Sequence, residues 1–146
     1  MRKLFLGVDV SKDKLDISIT TDGLKYDTLQ IFNNEKSING LFEYLDTTYK
    51  KYDYFFGYEA TSNYMVTLQK VIHEKNHHQI MVNPYMMSHY LKHLNSRKKT
   101  DIVDSIGISK YLTTLSSEDF KTIYSASQKV LKKYNASIDI VYERCR

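Results

Sequence analysis

Leu4-Phe5-Leu6-Gly7-Val8-Asp9-Val10-Ser11-Lys12 drives a carboxylate out of the end of an otherwise apolar run. The near-continuous hydrophobic character of residues 4–10 suits a central strand buried on both faces better than a half-exposed one. A charge at Asp9 must then be paired, bind a metal, or emerge into a crevice at the carboxyl end of the strand, where open α/β sheets keep their sites.

Outward from this strand, Ser11-Lys12-Asp13 makes a turn, and the next residues alternate. Leu15, Ile17 and Ile19 fall on one side and Asp16, Ser18 and Thr20 on the other, which predicts a half-buried strand. Thr21-Asp22-Gly23 carries an Asp-Gly hairpin signal, and residues 24–32 return as a third strand with Leu29 and Ile31 on one face. Asn33-Asn34 offers an N-cap to a helix with Ile38, Leu41, Phe42, Leu45 and Tyr49 at helical spacing. Residues 52–58 read as a strand that delivers Glu59 at its end, much as the first strand delivers Asp9.

Ser62 or Asn63 can cap a second helix with an inward stripe of Met65, Leu68, Val71 and Ile72, ending near Asn76. Residues 78–82 form a strand, and Asn83-Pro84 breaks the chain before a short helix with Met87, Tyr90, Leu91 and Leu94. Residues 95–99 are a basic loop. A helix over about 100–115 offers Ile102, Val103, Ile106 and Leu112 to the core, while Asp101 and Asp104 share a face. Ser125-Ala126-Ser127-Gln128 is a capping box for a terminal helix. Its Leu131, Tyr134, Ile138 and Val141 follow three-four-three spacing, as at the start of a coiled coil.

This order of elements predicts an α/β chain with a mixed central sheet flanked by helices, an RNase H-like layout. The acids sharpen the reading: Asp9 ends the first strand, Glu59 ends the fourth, and Asp101 with Asp104 lie on a late helix. Hard oxygen ligands converging in this way suit Mg²⁺ or Mn²⁺, and a paired site would hold the attacking and leaving oxygens of an in-line phosphoryl transfer. The structural alternative is that 17 acidic residues in 146 place some at strand ends by chance. Asp101 could then simply favour the helix macrodipole.

Four motifs in order, GVDVSKDKLDI from Gly7, YEATSNY from Tyr58, VNP from Val82 and KKTDIVDS from Lys98, resemble the N-terminal domain of the insertion-sequence-110 family of transposases, which includes the Piv DNA invertases. The resemblance implies a RuvC-like domain whose DEDD tetrad binds divalent metal, with Asp9, Glu59, Asp101 and Asp104 as its catalytic ligands. It implies a transposase or site-specific recombinase that binds DNA, assembles as a homo-oligomer and resembles recombinases guided by a bridge RNA. Residues 1–124 would be the catalytic domain and 125–146 the start of a linking helix. The family's second domain, which carries a nucleophilic serine, is absent from these 146 residues, so recombination by this chain alone is not expected. Two departures are visible. Thr61-Ser62 stands where the family usually has Thr-Gly, and Ser105 where it usually has alanine.

Lys12 and the run Arg97-Lys98-Lys99 lie near the acids in sequence and could hold a phosphate backbone, although such runs are usually solvated surface. A net charge of +4 adds little to that reading. His89 and His93, four apart, could ligate zinc but lack a cysteine or acid nearby. The single cysteine, Cys145, excludes an internal disulfide, and no stretch approaches a membrane span; both point to a cytoplasmic protein. Three other functions compete. A free-standing RuvC-like, Mg-dependent endonuclease could use the same acids. A nucleotide-binding lobe of the actin and sugar-kinase type would need glycine-rich phosphate loops that five scattered glycines do not supply. A non-catalytic nucleic-acid-binding assembly module would need no metal.

Overall fold

A computed structural model describes the protein over residues 2–59, 63–82, 87, 90, 101–116 and 118, with residues 101–104 described by their backbone. Five strands, β1 (Arg2–Val10), β2 (Lys14–Thr20), β3 (Asp27–Phe32), β4 (Tyr52–Glu59) and β5 (His78–Val82), form one sheet in the order β3-β2-β1-β4-β5. β1 is the central strand, as its apolar run predicts. It pairs antiparallel with β2 and parallel with β4, and β4 pairs parallel with β5, so the sheet is mixed. Parallel neighbours need crossovers. These are supplied by α1 (Glu35–Thr48) between β3 and β4 and by α2 (Val66–Glu74) between β4 and β5.

One face of the sheet holds the larger core. Leu4, Leu6 and Val8 of β1, Leu15, Ile17 and Ile19 of β2, and Tyr54, Phe56 and Tyr58 of β4 pack against the apolar stripes of α1 and α2. Strand residues two apart share a face, and helix residues three or four apart share a stripe, so the two periods meet in one layer. α1 starts where Asn34 caps it, the side-chain oxygen accepting from the Ser37 N–H at 2.8 Å. A third helix, α3 (Asp101–Thr113), covers the opposite face, where Ile108 and Leu112 pack with Ile80, Val82 and Met87.

Three local expectations change. β2 is not half-buried: Asp16, Ser18 and Thr20 are all buried, because α3 roofs their side of the sheet and Ser109 Oγ lies 3.3 Å from Ser18 Oγ. Alternation identifies the apolar face but cannot tell whether a distant helix covers the polar one. β3 begins at Asp27 rather than near Leu24. Asp22 Oδ1 accepts from the Leu24 and Lys25 N–H groups at 2.8 and 3.2 Å, holding both in a loop, and Gly23 takes a positive φ of 77°. α2 lacks the side-chain cap expected from Asn63; a 3-10 turn, Asn63–Met65, leads into it instead.

Ser62, Leu91, Leu94, His89, His93 and the terminal seam of Leu131, Tyr134, Ile138 and Val141 lie outside the described residues. Among the described residues, no helix is long and apolar enough to cross a membrane.

Candidate active site

The parallel pairing of β1 and β4 sets Val8 opposite Tyr58, so the next residue on each strand is an acid, Asp9 or Glu59. Adjacent strands run about 4.8 Å apart. Both carboxylates therefore leave the sheet side by side at its carboxyl end, and both residues are half-buried. Gly7 and Gly57, two positions earlier, are also paired and face α3. By strand alternation Asp9 and Glu59 share that face.

The two glycines let α3 approach. A Cβ on Gly7 would run into the Ser105 carbonyl oxygen and the Ser109 backbone nitrogen, and one on Gly57 would meet Leu112 Cδ2 at 2.8 Å. Only a residue without a side chain allows helix backbone so near the strand. The contacts also give the helix its direction. Ser105 lies over Gly7, whereas Thr113 lies at Gly23, beyond the far end of β2. The first turn of α3, with Asp101 and Asp104 in its backbone, is therefore at the end of the sheet that carries Asp9 and Glu59. Their side chains are outside the described residues.

A further acid stands here, which strand alternation alone would put on the outward face of β2. Asp16 is the cross-strand partner of Asp9 and Gln30 is the partner of Asp16, which makes a row of Gln30, Asp16, Asp9 and Glu59 across four strands. Asp16 is 8% exposed, and its Oδ1 accepts from Gln30 Nε2 at 2.7 Å. A carboxylate buried to this degree requires compensation by hydrogen bonds or positive charge. Asp16, Gln30 and Ser105 border a cavity of about 310 Å³ between the β2–β3 pair and α3. The signal for Asp16 was present in the tight turn: with only Ser11, Lys12 and Asp13 between the strands, Val10 pairs with Leu15 and Asp9 with Asp16.

Lys12 is exposed in that turn, three residues from Asp9, while Arg97, Lys98 and Lys99 lie outside the described residues. The turn is closed by Ser11, whose N–H and Oγ both donate to the Lys14 carbonyl, at 3.0 and 2.8 Å. Ser105 is buried, at 1% exposure. Among the described residues, no three His, Cys, Asp or Glu side chains converge closely enough to hold a metal ion. Of the four acids that the sequence singles out, Asp9 and Glu59 are the two whose side chains are described.

Known proteins resemble the chain in fold and in sequence family. Thermus thermophilus RuvC in complex with a Holliday junction substrate superposes with a TM-score of 0.50 at 10% identity, over 73% of this chain and 90% of that one. A second structure of Thermus thermophilus RuvC gives a TM-score of 0.49 at 8% identity over the same shares. At 10% identity the first likeness bears on the fold, which is RNase H-like. No curated protein matches the chain. The model of the DEDD transposases of insertion sequence 110, described as "Transposase", matches residues 6–133 and so includes Asp9, the strand of Glu59 and the whole of α3; the chain belongs to this transposase family.

Proposed function

We propose that the chain is the metal-binding catalytic domain of a DNA transposase or site-specific recombinase, with Asp9, Glu59, Asp101 and Asp104 as its ligands for Mg²⁺ or Mn²⁺. The observation that carries the reading is the delivery of Asp9 and Glu59 by neighbouring parallel strands to the end of the sheet at which α3 begins. The donor chemistry fits. Carboxylate oxygens are hard ligands that suit these ions, and like charges held side by side favour a divalent cation between them. When bound, the ion would act as a Lewis acid toward phosphoryl oxygens.

The chain's own residues do the rest. Central strand β1, buried on both faces, fixes Asp9; the paired register fixes Glu59 beside it; and Gly7 lets the helix bearing Asp101 and Asp104 sit close. Lys12, Arg97, Lys98 and Lys99 contact DNA phosphates, and the same basic surface serves a guide RNA of the bridge type. In this reading residues 1–124 are the catalytic domain, and residues 125–146 form a helix through which copies self-associate in the cytoplasm. The nucleophile that forms the covalent link to DNA is a serine of a second domain, as the family resemblance implies.

Mn²⁺-dependent stabilisation tests the site. At a concentration one hundred times its Kd, an ion that binds only the folded state adds about 2.7 kcal/mol of stability. Wild type should melt at higher temperature with Mn²⁺, and Asp9→Ala with Asp101→Ala should lose the shift. An equal shift in both proteins, or none in wild type, overturns the reading. A salt-dependent DNA affinity that weakens when Lys12, Arg97, Lys98 and Lys99 become alanine is the corresponding result for the phosphate contacts.

A further inference from the structure

Asn33 and Asn34 follow β3 as neighbours, yet they do different work. Asn34 caps α1. The Asn33 side chain turns instead toward two other connections, Nδ2 donating to the Ser11 carbonyl at 2.9 Å and to the Tyr64 carbonyl at 2.8 Å. Its backbone N–H also donates to the Asp13 carbonyl at 2.9 Å. Ser11 lies two residues beyond Asp9, in the turn that leaves β1, and Tyr64 lies five beyond Glu59, in the 3-10 turn that follows β4. One amide nitrogen therefore joins the connections leaving both acid-bearing strands.

The chemistry admits only one orientation of that amide. Both partners are carbonyl oxygens, which accept and cannot donate, so the NH₂ must face them. The other end then suffers: Asn33 Oδ1 is buried with no hydrogen-bond partner among the described residues. The penalty for a buried, unsatisfied acceptor is of the same order as the net gain from two neutral hydrogen bonds. Asn33 thus adds little to global stability while tying together two segments that are 53 residues apart, Ser11 and Tyr64.

We infer that Asn33 is a positioning residue, which holds the Ser11 turn against the Tyr64 turn and so fixes Asp9 and Glu59 relative to each other for metal binding. The inference rests on the metal site proposed above. It differs from that proposal in naming a group that touches neither the ion nor the DNA. Partners one step removed from metal ligands typically set affinity within a factor of about 10 to 100.

The test compares wild type, Asn33→Ala, Asn33→Asp and Asp9→Ala. Aspartate keeps the shape of asparagine but turns two donations into oxygen–oxygen contacts. Mn²⁺ affinity and the lineshape of the bound ion are read by electron paramagnetic resonance, and amide exchange is followed at residues 11–13 and 63–65 without metal. Both Asn33 variants should keep a melting temperature within about 4 °C of wild type, exchange faster in both segments together, and bind Mn²⁺ at least about tenfold more weakly with a broadened signal. Faster exchange with unchanged Mn²⁺ affinity would make Asn33 purely structural and overturn the inference. Unchanged exchange in either segment would also overturn it, because the two turns would then be held by other means. If wild type and Asp9→Ala bind Mn²⁺ alike, the metal site itself falls and takes this inference with it; loss in Asp9→Ala alongside wild-type affinity in the Asn33 variants sinks only the positioning role.

Discussion

The two faces of the sheet are built from the same strands and have opposite characters. The face toward α1 and α2 is filled by large side chains, with Phe42 tilted against Phe56 and Tyr54 and stacked on His77 at ring separations of 5.5, 6.4 and 5.4 Å. The face toward α3 has a smaller apolar cluster at the β5 side, with Ile80, Val82, Ile108 and Leu112, but over β1 and β2 it carries Gly7, Ser18, Thr20 and Asp16, with Gly57 beside them, and meets Ser105 and Ser109 of the helix. Large apolar side chains remove much surface from water and keep layers apart; small ones remove little and allow backbone to meet backbone. The first face holds the domain together. The second brings the start of a helix to the acids at the sheet's carboxyl end, which a thick layer of leucines would prevent.

Substitutions on the two faces should therefore separate stability from metal binding. Phe42→Ala should have the largest effect on stability, about 3–5 kcal/mol by urea unfolding. The fraction that stays folded should keep its Mn²⁺ affinity; a lost affinity would mean that the thick face also shapes the site. Gly7→Ala should cost about 1–3 kcal/mol, because helix backbone must move to admit a methyl group. Here Mn²⁺ binding should fall out of proportion to stability, and retained affinity would break the contrast between the faces.

Smaller effects sharpen the same comparison. Ser105 is buried at the contact between α3 and β1, so it is ill placed to substitute for a nucleophile. Ser105→Ala should change stability by about 1 kcal/mol or less and leave Mn²⁺ affinity intact; lost affinity without unfolding would give Ser105 a part in the metal site. The smallest effect belongs to the thick face. His77 stacks on Tyr54 at 4.5 Å, and burial lowers its pKa from the ordinary 6.5, helped by His78 and Lys75 and opposed by Asp46 and Asp53. The unfolded chain then binds the proton more readily than the folded one, so this contribution is complete above pH 6.5 and is lost as pH falls below it. Melting temperature followed from about pH 7.5 to about 5.5 should decline more in wild type than in His77→Phe; parallel curves would remove His77 as the cause.

Much of this arrangement is legible along the chain. Residues 4–10 read as a buried central strand because apolarity without alternation means cover on both faces, and the helix of Ile38, Leu41, Phe42 and Leu45 reads from its period. Asp9 and Glu59 are identifiable as strand-end acids for the same local reason. The four motifs of the transposase family lead to the membership that the match over residues 6–133 shows. Other features depend on contacts between distant residues. Leu24 matches a strand by pattern, but the hydrogen bonds of Asp22 keep it in a loop, where it is 81% exposed. Asn33 and Asn34 are the same residue type in succession, and only the position of Tyr64 tells the joining asparagine from the capping one.

By itself the sequence determined the elements, their order and which acids end strands, because hydrophobic period, caps and turns act over a few residues. Tertiary structure alone decided that Glu59 stands beside Asp9, that Asp16 lies under a roof rather than in water, and that Gly7 faces helix backbone. Each of these depends on strand pairing or helix cover between segments tens of residues apart, where the free energy belongs to the contact and neither segment carries a local signal of it.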